Sequence, residues 1–217
     1  MKGWWLLASL WFCAASPTAD ALDPARPLAE FGLNTWTRDD GLPHNLVVNV
    51  SQSADGYIWV ATWLGVARFN GQEFVVYDQR QMPWVRDGSA TGFANSADGT
   101  LLVASRRYGV SRLRDGVWQP HPQLGAGLAT IFAISEDPDG RLWAATDSGV
   151  KIAGNDELRT IGVEQGLPDP AALGIARAVD GSHWVGTASG VVHIAGDRIV
   201  AYGPEHGLPA DGARVVL

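Results

Sequence analysis

Few residues in this chain have the type and spacing to do chemistry. Four aspartates, Asp55, Asp98, Asp139 and Asp180, each precede a glycine, and carboxylates suit hard cations. A calcium ion wants six or more oxygens, and each of these sites offers one obvious carboxylate, so turn formation is the better reading and no metal is expected. Five histidines, His44, His121, His183, His193 and His206, invite acid-base or metal roles. None forms the i, i+4 pair of a helical zinc site, and no nucleophile or paired base accompanies them, so they read as solvated loop side chains and no catalytic residue is assigned. Ser105-Arg106-Arg107-Tyr108 is the strongest ligand candidate: two guanidinium groups could grip a carboxylate or sulfate beside a stacking ring. Trp63 and Asp147 occupy equivalent positions in neighbouring segments and complete the candidate set.

The elements that must position these residues follow from a repeat. Asp55-Gly56, Asp98-Gly99, Asp139-Gly140 and Asp180-Gly181 recur in steps of 43, 41 and 41 residues. Each pair is followed at one offset by Trp59, Leu102, Trp143 or Trp184. Next come Ala61-Thr62, Ala104-Ser105, Ala145-Thr146 and Gly186-Thr187, and then Gly65, Gly109, Gly149 and Gly190, each before a valine. Gly-Leu-Pro appears at 41–43, 166–168 and 207–209 in the same phase. Short apolar or alternating runs fill each unit between these turn signals, giving four strands, a to d, per unit of about 41 residues. In the first unit these are Leu46 to Gln52, Tyr57 to Thr62, Val66 to Phe69 and Glu73 to Asp78. That period and strand count predict an all-β propeller of four-stranded antiparallel blades, of which the chain carries an incomplete set. The recurrent Trp59, Trp143 and Trp184 are expected to pack between neighbouring blades, because each blade must bury its faces against the next.

The expected organisation is a secretory signal over 1–21, a short linker over 22–30, and blades over 31–217. The blades fall at about 44–78, 88–119, 128–161 and 170–202, a fifth begins at 211–217, and 31–37 is an outer strand closing the last blade. Lys2, the apolar run Trp4 to Ala15 and the small residues Ala19 and Ala21 give the signal its three regions, with cleavage after Ala21. The sole cysteine, Cys13, lies inside it, so the mature chain has no thiol or disulfide chemistry. N-terminal sequencing of the exported product is expected to begin at Leu22; a product retaining Lys2 would contradict this. The net charge of −7, with no run of Lys and Arg, excludes nucleic acid as a partner.

Gly41-Leu42-Pro43-His44-Asn45, Ala54-Asp55-Gly56-Tyr57-Ile58-Trp59-Val60-Ala61-Thr62 and Gly65-Val66-Ala67-Arg68-Phe69-Asn70-Gly71 resemble the two-component regulator propeller repeat. The resemblance runs over about 31–217. The second unit departs from it: Trp84-Val85-Arg86 replaces Gly-Leu-Pro, Leu102 replaces tryptophan, and one residue is inserted in its b to c turn. The resemblance implies a periplasmic sensor of a small-molecule or glycan-like ligand, without cofactor or enzymatic activity of its own. It also implies a membrane-anchored output region, a histidine kinase or diguanylate cyclase, in a receptor expected to be a homodimer. The alternatives are a secreted propeller enzyme such as a lyase, or a protein-interaction scaffold.

Overall fold

The computed structural model describes residues 27, 32–77, 80–82, 90–154, 157–209 and 212–213. The expected signal, Trp84-Val85-Arg86 and most of the expected fifth-blade strand lie outside them. Sixteen strands make four separate four-stranded antiparallel sheets, each in chain order from its inner to its outer strand. The first holds β1 (Val47–Gln52), β2 (Ile58–Thr62), β3 (Gly65–Phe69) and β4 (Phe74–Tyr77). The second holds β5 (Ala90–Asn95), β6 (Leu101–Ser105), β7 (Gly109–Arg114) and β8 (Val117–Pro120). β9 (Ile131–Glu136), β10 (Leu142–Thr146), β11 (Gly149–Gly154) and β12 (Glu157–Ile161) form the third. β13 (Ala172–Arg177), β14 (His183–Thr187), β15 (Gly190–Ala195) and β16 (Arg198–Tyr202) form the fourth. The inner strands stand side by side, β1 against β5, β5 against β9 and β9 against β13, and the row does not close on itself. This is the all-β propeller architecture that the repeat predicts, with its blades unclosed.

Burial explains the sequence pattern. In the second and third blades, which have a neighbouring blade on each side, β6 and β10 are buried at every position and read as continuous apolar runs. Outer strands such as β12 are exposed except at Ile161. Three apolar clusters fill the spaces between blades. Trp59, Val66, Leu101, Val103 and Trp118 lie between the first and second, and Leu102, Val110, Leu142 and Ala144 between the second and third. Trp143, Val150, Ile175, Val185 and Ile194 lie between the third and fourth.

The turn motifs have specific tasks. In each Asp-Gly hairpin the glycine alone takes positive φ (87°, 80°, 84° and 86° at Gly56, Gly99, Gly140 and Gly181). Its N–H bonds three residues back, as Gly140 does to the Asp137 carbonyl at 2.9 Å. This is a type I turn closed by a left-handed glycine. The aspartate works through its side chain: Asp98, Asp139 and Asp180 accept the backbone N–H two residues on. Hydrogen bonds from Thr100, Arg141 and Ser182 hold their carboxyls below the usual range. At the b to c turn, Thr62, Thr146 and Thr187 donate to the carbonyls of Gly65, Gly149 and Gly190 at 2.6 to 3.0 Å. In the second blade the inserted residue puts Gly109 four positions from Ser105, and the buried Ser105 hydroxyl has no hydrogen-bond partner.

Gly-Leu-Pro ends a single 3-10 turn. Gly41, Gly166 and Gly207 take positive φ, and the following leucine N–H reaches five residues back to Thr37, Gly162 and Gly203. Leu42 and Leu167 are thereby turned into the core. The side chains of Asp40, Gln165 and His206 each accept the N–H that opens the turn, which gives His206 a structural task. The expected outer strand over 31–37 does not form: residues 32–37 pair with no sheet, and Trp36 instead packs edge-on against Phe69, 5.0 Å between ring centres.

Candidate functional site: a charged cleft between the third and fourth blades

Strand direction alternates, so the d to a and b to c turns share one face, and the a to b and c to d turns share the other. The residues singled out from sequence lie on the first face. Arg106 and Arg107 are exposed at the β6–β7 turn, Tyr108 is half-buried, and the Arg106 guanidinium sits 5.9 Å from the Phe132 ring centre. The backbone carbonyls of Arg106 and Arg107 accept from Ile131 and Gly127 at 3.3 and 3.2 Å. Asp147 accepts the Thr130 N–H at 3.2 Å and donates its own N–H to the Thr130 carbonyl. Arg106 and Asp147 thus flank one connection, residues 127–131, and help to shape it. Trp63 is exposed in the first blade, with no described contact to either.

The buried charge gathers on the opposite face. Asp137 ends the inner strand of the third blade, and its Oδ2 accepts the indole N–H of Trp143 at 2.8 Å. The corresponding residue of the first blade, Ser53, accepts from Trp59 at 2.9 Å, so one position serves the indole in both blades. The carboxylate does more than the hydroxyl, because two cationic or titratable groups from the fourth blade approach its other oxygen. Arg177 Nε and His183 Nε2 both lie 3.1 Å from Asp137 Oδ1, and Arg141 Nε lies 3.9 Å from Oδ2. The contacts at Oδ1 are close but off-line: neither Asp137 Oδ1 nor His183 Nε2 has a well-aligned hydrogen-bond partner. His183 stacks on Trp143 with 3.8 Å between ring centres and 18° between planes.

Burial pushes the His183 pKa down from its ordinary value, Asp137 pulls it back, and Arg177 and Arg141 lower it further. The imidazole is therefore held neutral beside a buried carboxylate. Asp137, Trp143 and His183 floor a cleft of about 360 Å³ whose rim carries Arg141, Glu157, Arg159 and Asp197. Both signs of charge ring an aromatic wall, an arrangement suited to a small polar molecule with a flat or apolar body. Among the described residues no group of three or more metal-ligating side chains gathers.

Trp59 is almost fully buried between the first and second blades, stacked on Tyr77 and edge-on to Trp118. Trp184 is half-buried and stacks on His193 at 4.4 Å, because the fourth blade has no described blade beyond it. His121 is buried, and its Nδ1 accepts from the N–H groups of Gln123 and Leu124 at 3.3 and 3.2 Å. Desolvation, with the nearby Arg112 charge, pushes its pKa down to about 4. His121 and His183 thus differ from the solvated histidines expected from sequence. Since the folded His121 pKa lies below its unfolded value, the unfolded chain binds the proton first. Stability is then full above about pH 6.5 and falls as pH drops toward 4, by up to about 3 kcal/mol. His121→Asn keeps an acceptor without a titratable ring. Urea midpoints from pH 7 to 4 are expected to fall more steeply for the natural chain than for the variant, and parallel curves would contradict the assignment.

A family model for the two component regulator propeller matches residues 41–64 and 127–148. These are the same stretch of the first and third blades, ending in each case just after the b strand. Two stretches of the chain, one in the first blade and one in the third, are thus similar to that repeat. No curated protein sequence matches the chain. Among solved structures it is similar to an extracellular domain assigned to a hybrid two component system of B. thetaiotaomicron. The two share 16% identity at a TM-score of 0.52, over 76% of this chain and 30% of that one. It is also similar to virginiamycin B lyase from Staphylococcus aureus (15% identity, TM-score 0.58, 75% of this chain and 57% of that one). A third likeness is to PorZ, a surface component of the type-IX secretion system of Porphyromonas gingivalis (17% identity, TM-score 0.55, 68% and 24%). The chain spans less than two thirds of each, and at these identities the likeness shows the fold.

Proposed function

We propose that the chain is the ligand-sensing propeller of an exported bacterial signal-transduction receptor. It binds a small molecule without transforming it and passes the signal to an output region carried elsewhere. The observation that carries this reading is the match of two separate blades, in one phase, to the regulator propeller repeat. The cleft between the third and fourth blades is the ligand seat, since rim charges of both signs surround a floor held in place by the buried Asp137–His183 contact. Its position supports transmission: a ligand there touches two blades at once, so binding changes how they sit on each other.

The fold it shares with a lyase, together with the His183–Asp137 pair, favours catalysis as the second reading. The geometry argues against it. A general base must reach the proton it removes, whereas the His183 side chain is 3% exposed and covered by the Trp143 ring. The test is the reading frame that continues from the Leu217 codon, together with its operon. A transmembrane helix followed by a histidine kinase or diguanylate cyclase is the expected result. A stop codon with no such output encoded alongside would overturn the proposal.

A further inference from the structure

The second blade departs from the repeat at Leu102, where the first, third and fourth blades have tryptophan, and the structure shows what that departure opens. Leu102 faces the third blade and is fully buried. Its cross-strand partner on β7 is Arg112, where β11 places Ile152 opposite Trp143. A leucine fills less of the interblade space than an indole, and Arg112 reaches across that space to Glu136 of the third blade, at 3.3 Å. Beside this contact lies a groove of about 310 Å³, lined among others by Arg112, Arg114, Gln119, His121 and Gln123.

The lining includes two guanidinium groups and no carboxylate, in a chain of net charge −7. Arg114 spends one nitrogen on Asp98 at 3.1 Å and Arg112 one on Glu136, and each guanidinium has further donors. Arg112 Nε and Gln123 Nε2 are buried and have no hydrogen-bond partner. His121 accepts two amides at Nδ1, so its neutral ring carries its proton on Nε2 and adds another donor to the wall. The groove wall thus offers N–H donors and no carboxylate of its own, while Glu136 Oε2 beside Arg112 is buried and unpaired too; unpaired buried donors are stabilised by whatever brings oxygen lone pairs to them.

We propose that this groove binds the oxyanion of a small acidic molecule, a carboxylate or a sulfate or phosphate group, held by Arg112, Arg114 and Gln123. The site is separate from the cleft one blade further on, which is floored by Asp137 and His183 and shares only Gly154 with this lining.

Isothermal titration of the purified full chain with sodium sulfate, sodium phosphate, succinate and galacturonate tests it. At least one probe is expected to bind with a Kd of about 1 mM or tighter. Arg114→Gln and Gln123→Met are each expected to weaken that binding by about tenfold or more, since each removes a donor to a charged group. Both are expected to leave the melting temperature in place. Arg106→Gln removes the same charge from the other face and is expected to leave the affinity unchanged. A preference for the inorganic ions points to a free anion, and a preference for succinate or galacturonate to an organic acid; either supports the site. Absence of binding by all four probes up to about 10 mM would overturn the proposal. So would an equal weakening by Arg106→Gln, which would reduce the effect to general charge attraction.

Discussion

Trp59→Ala is expected to cost about 3–5 kcal/mol of stability, read as a fall in the urea midpoint at unchanged slope. The side chain is 2% exposed and fills the space between the first and second blades. It stacks on Tyr77 at 5.4 Å, meets Trp118 edge-on at 5.9 Å and donates its indole N–H to Ser53. Alanine removes all three contacts and leaves a cavity that strands on both sides resist closing. A loss of that size is a large share of the roughly 5–15 kcal/mol that holds an ordinary domain together. Trp184→Ala, at the same repeat position, is expected to cost about 1 kcal/mol, because that ring is half-exposed and packs only within its own blade. Equal losses at the two positions would show that blade contacts do not carry the difference.

Gly149→Ala is the second large effect, at about 2–4 kcal/mol. Gly149 opens β11 with φ at 97°, and a Cβ built there would stand 2.3 Å from the Ile161 carbonyl oxygen, which is backbone and cannot swing aside. Gly140→Ala separates the two causes. Its φ is 84°, but a Cβ there meets nothing within 4 Å, so only the backbone strain of about 1–2 kcal/mol applies. Gly190 repeats the Gly149 contact against Tyr202, at 2.2 Å, so the same cost is expected there. If Gly149→Ala and Gly140→Ala proved equal in urea melts, the close approach would not be limiting.

These two positions show why the fold was legible in the sequence. The glycines, the turn aspartates and the threonines of the b to c turn recur because every blade needs the same local geometry. Comparing units therefore finds them. The candidate cleft was not legible by that route, since it is built from departures. Ser53, Ser96 and Ala178 hold the place of Asp137, and Ile58, Leu101 and Leu142 the place of His183. Each departure is a polar residue at one repeat position of one blade, and only the packing of the third blade on the fourth brings the two together. The signal was present as a charged or imidazole side chain in an otherwise apolar or small column. Arg112 carries no such signal, because Arg68 and His193 hold its place in the first and fourth blades; the departure in the second blade is Leu102. The inserted Arg106-Arg107-Tyr108 turn stands out in the sequence, and its backbone holds the neighbouring connection. No strand is described over residues 32–37: a strand is defined by its neighbour, and repeat phase cannot supply one.

The cleft between the third and fourth blades is expected to bind a molecule without transforming it. Amide hydrogen exchange tests this most directly, on the purified chain with and without the low-molecular-weight fraction of spent growth medium from the producing cells. The expected result is slowed exchange confined to residues 137–143 and 177–183, with the bound compound recovered unchanged after denaturation. Conversion of that compound to a product, or protection confined to the face that carries Trp63, Arg106 and Asp147, would contradict it.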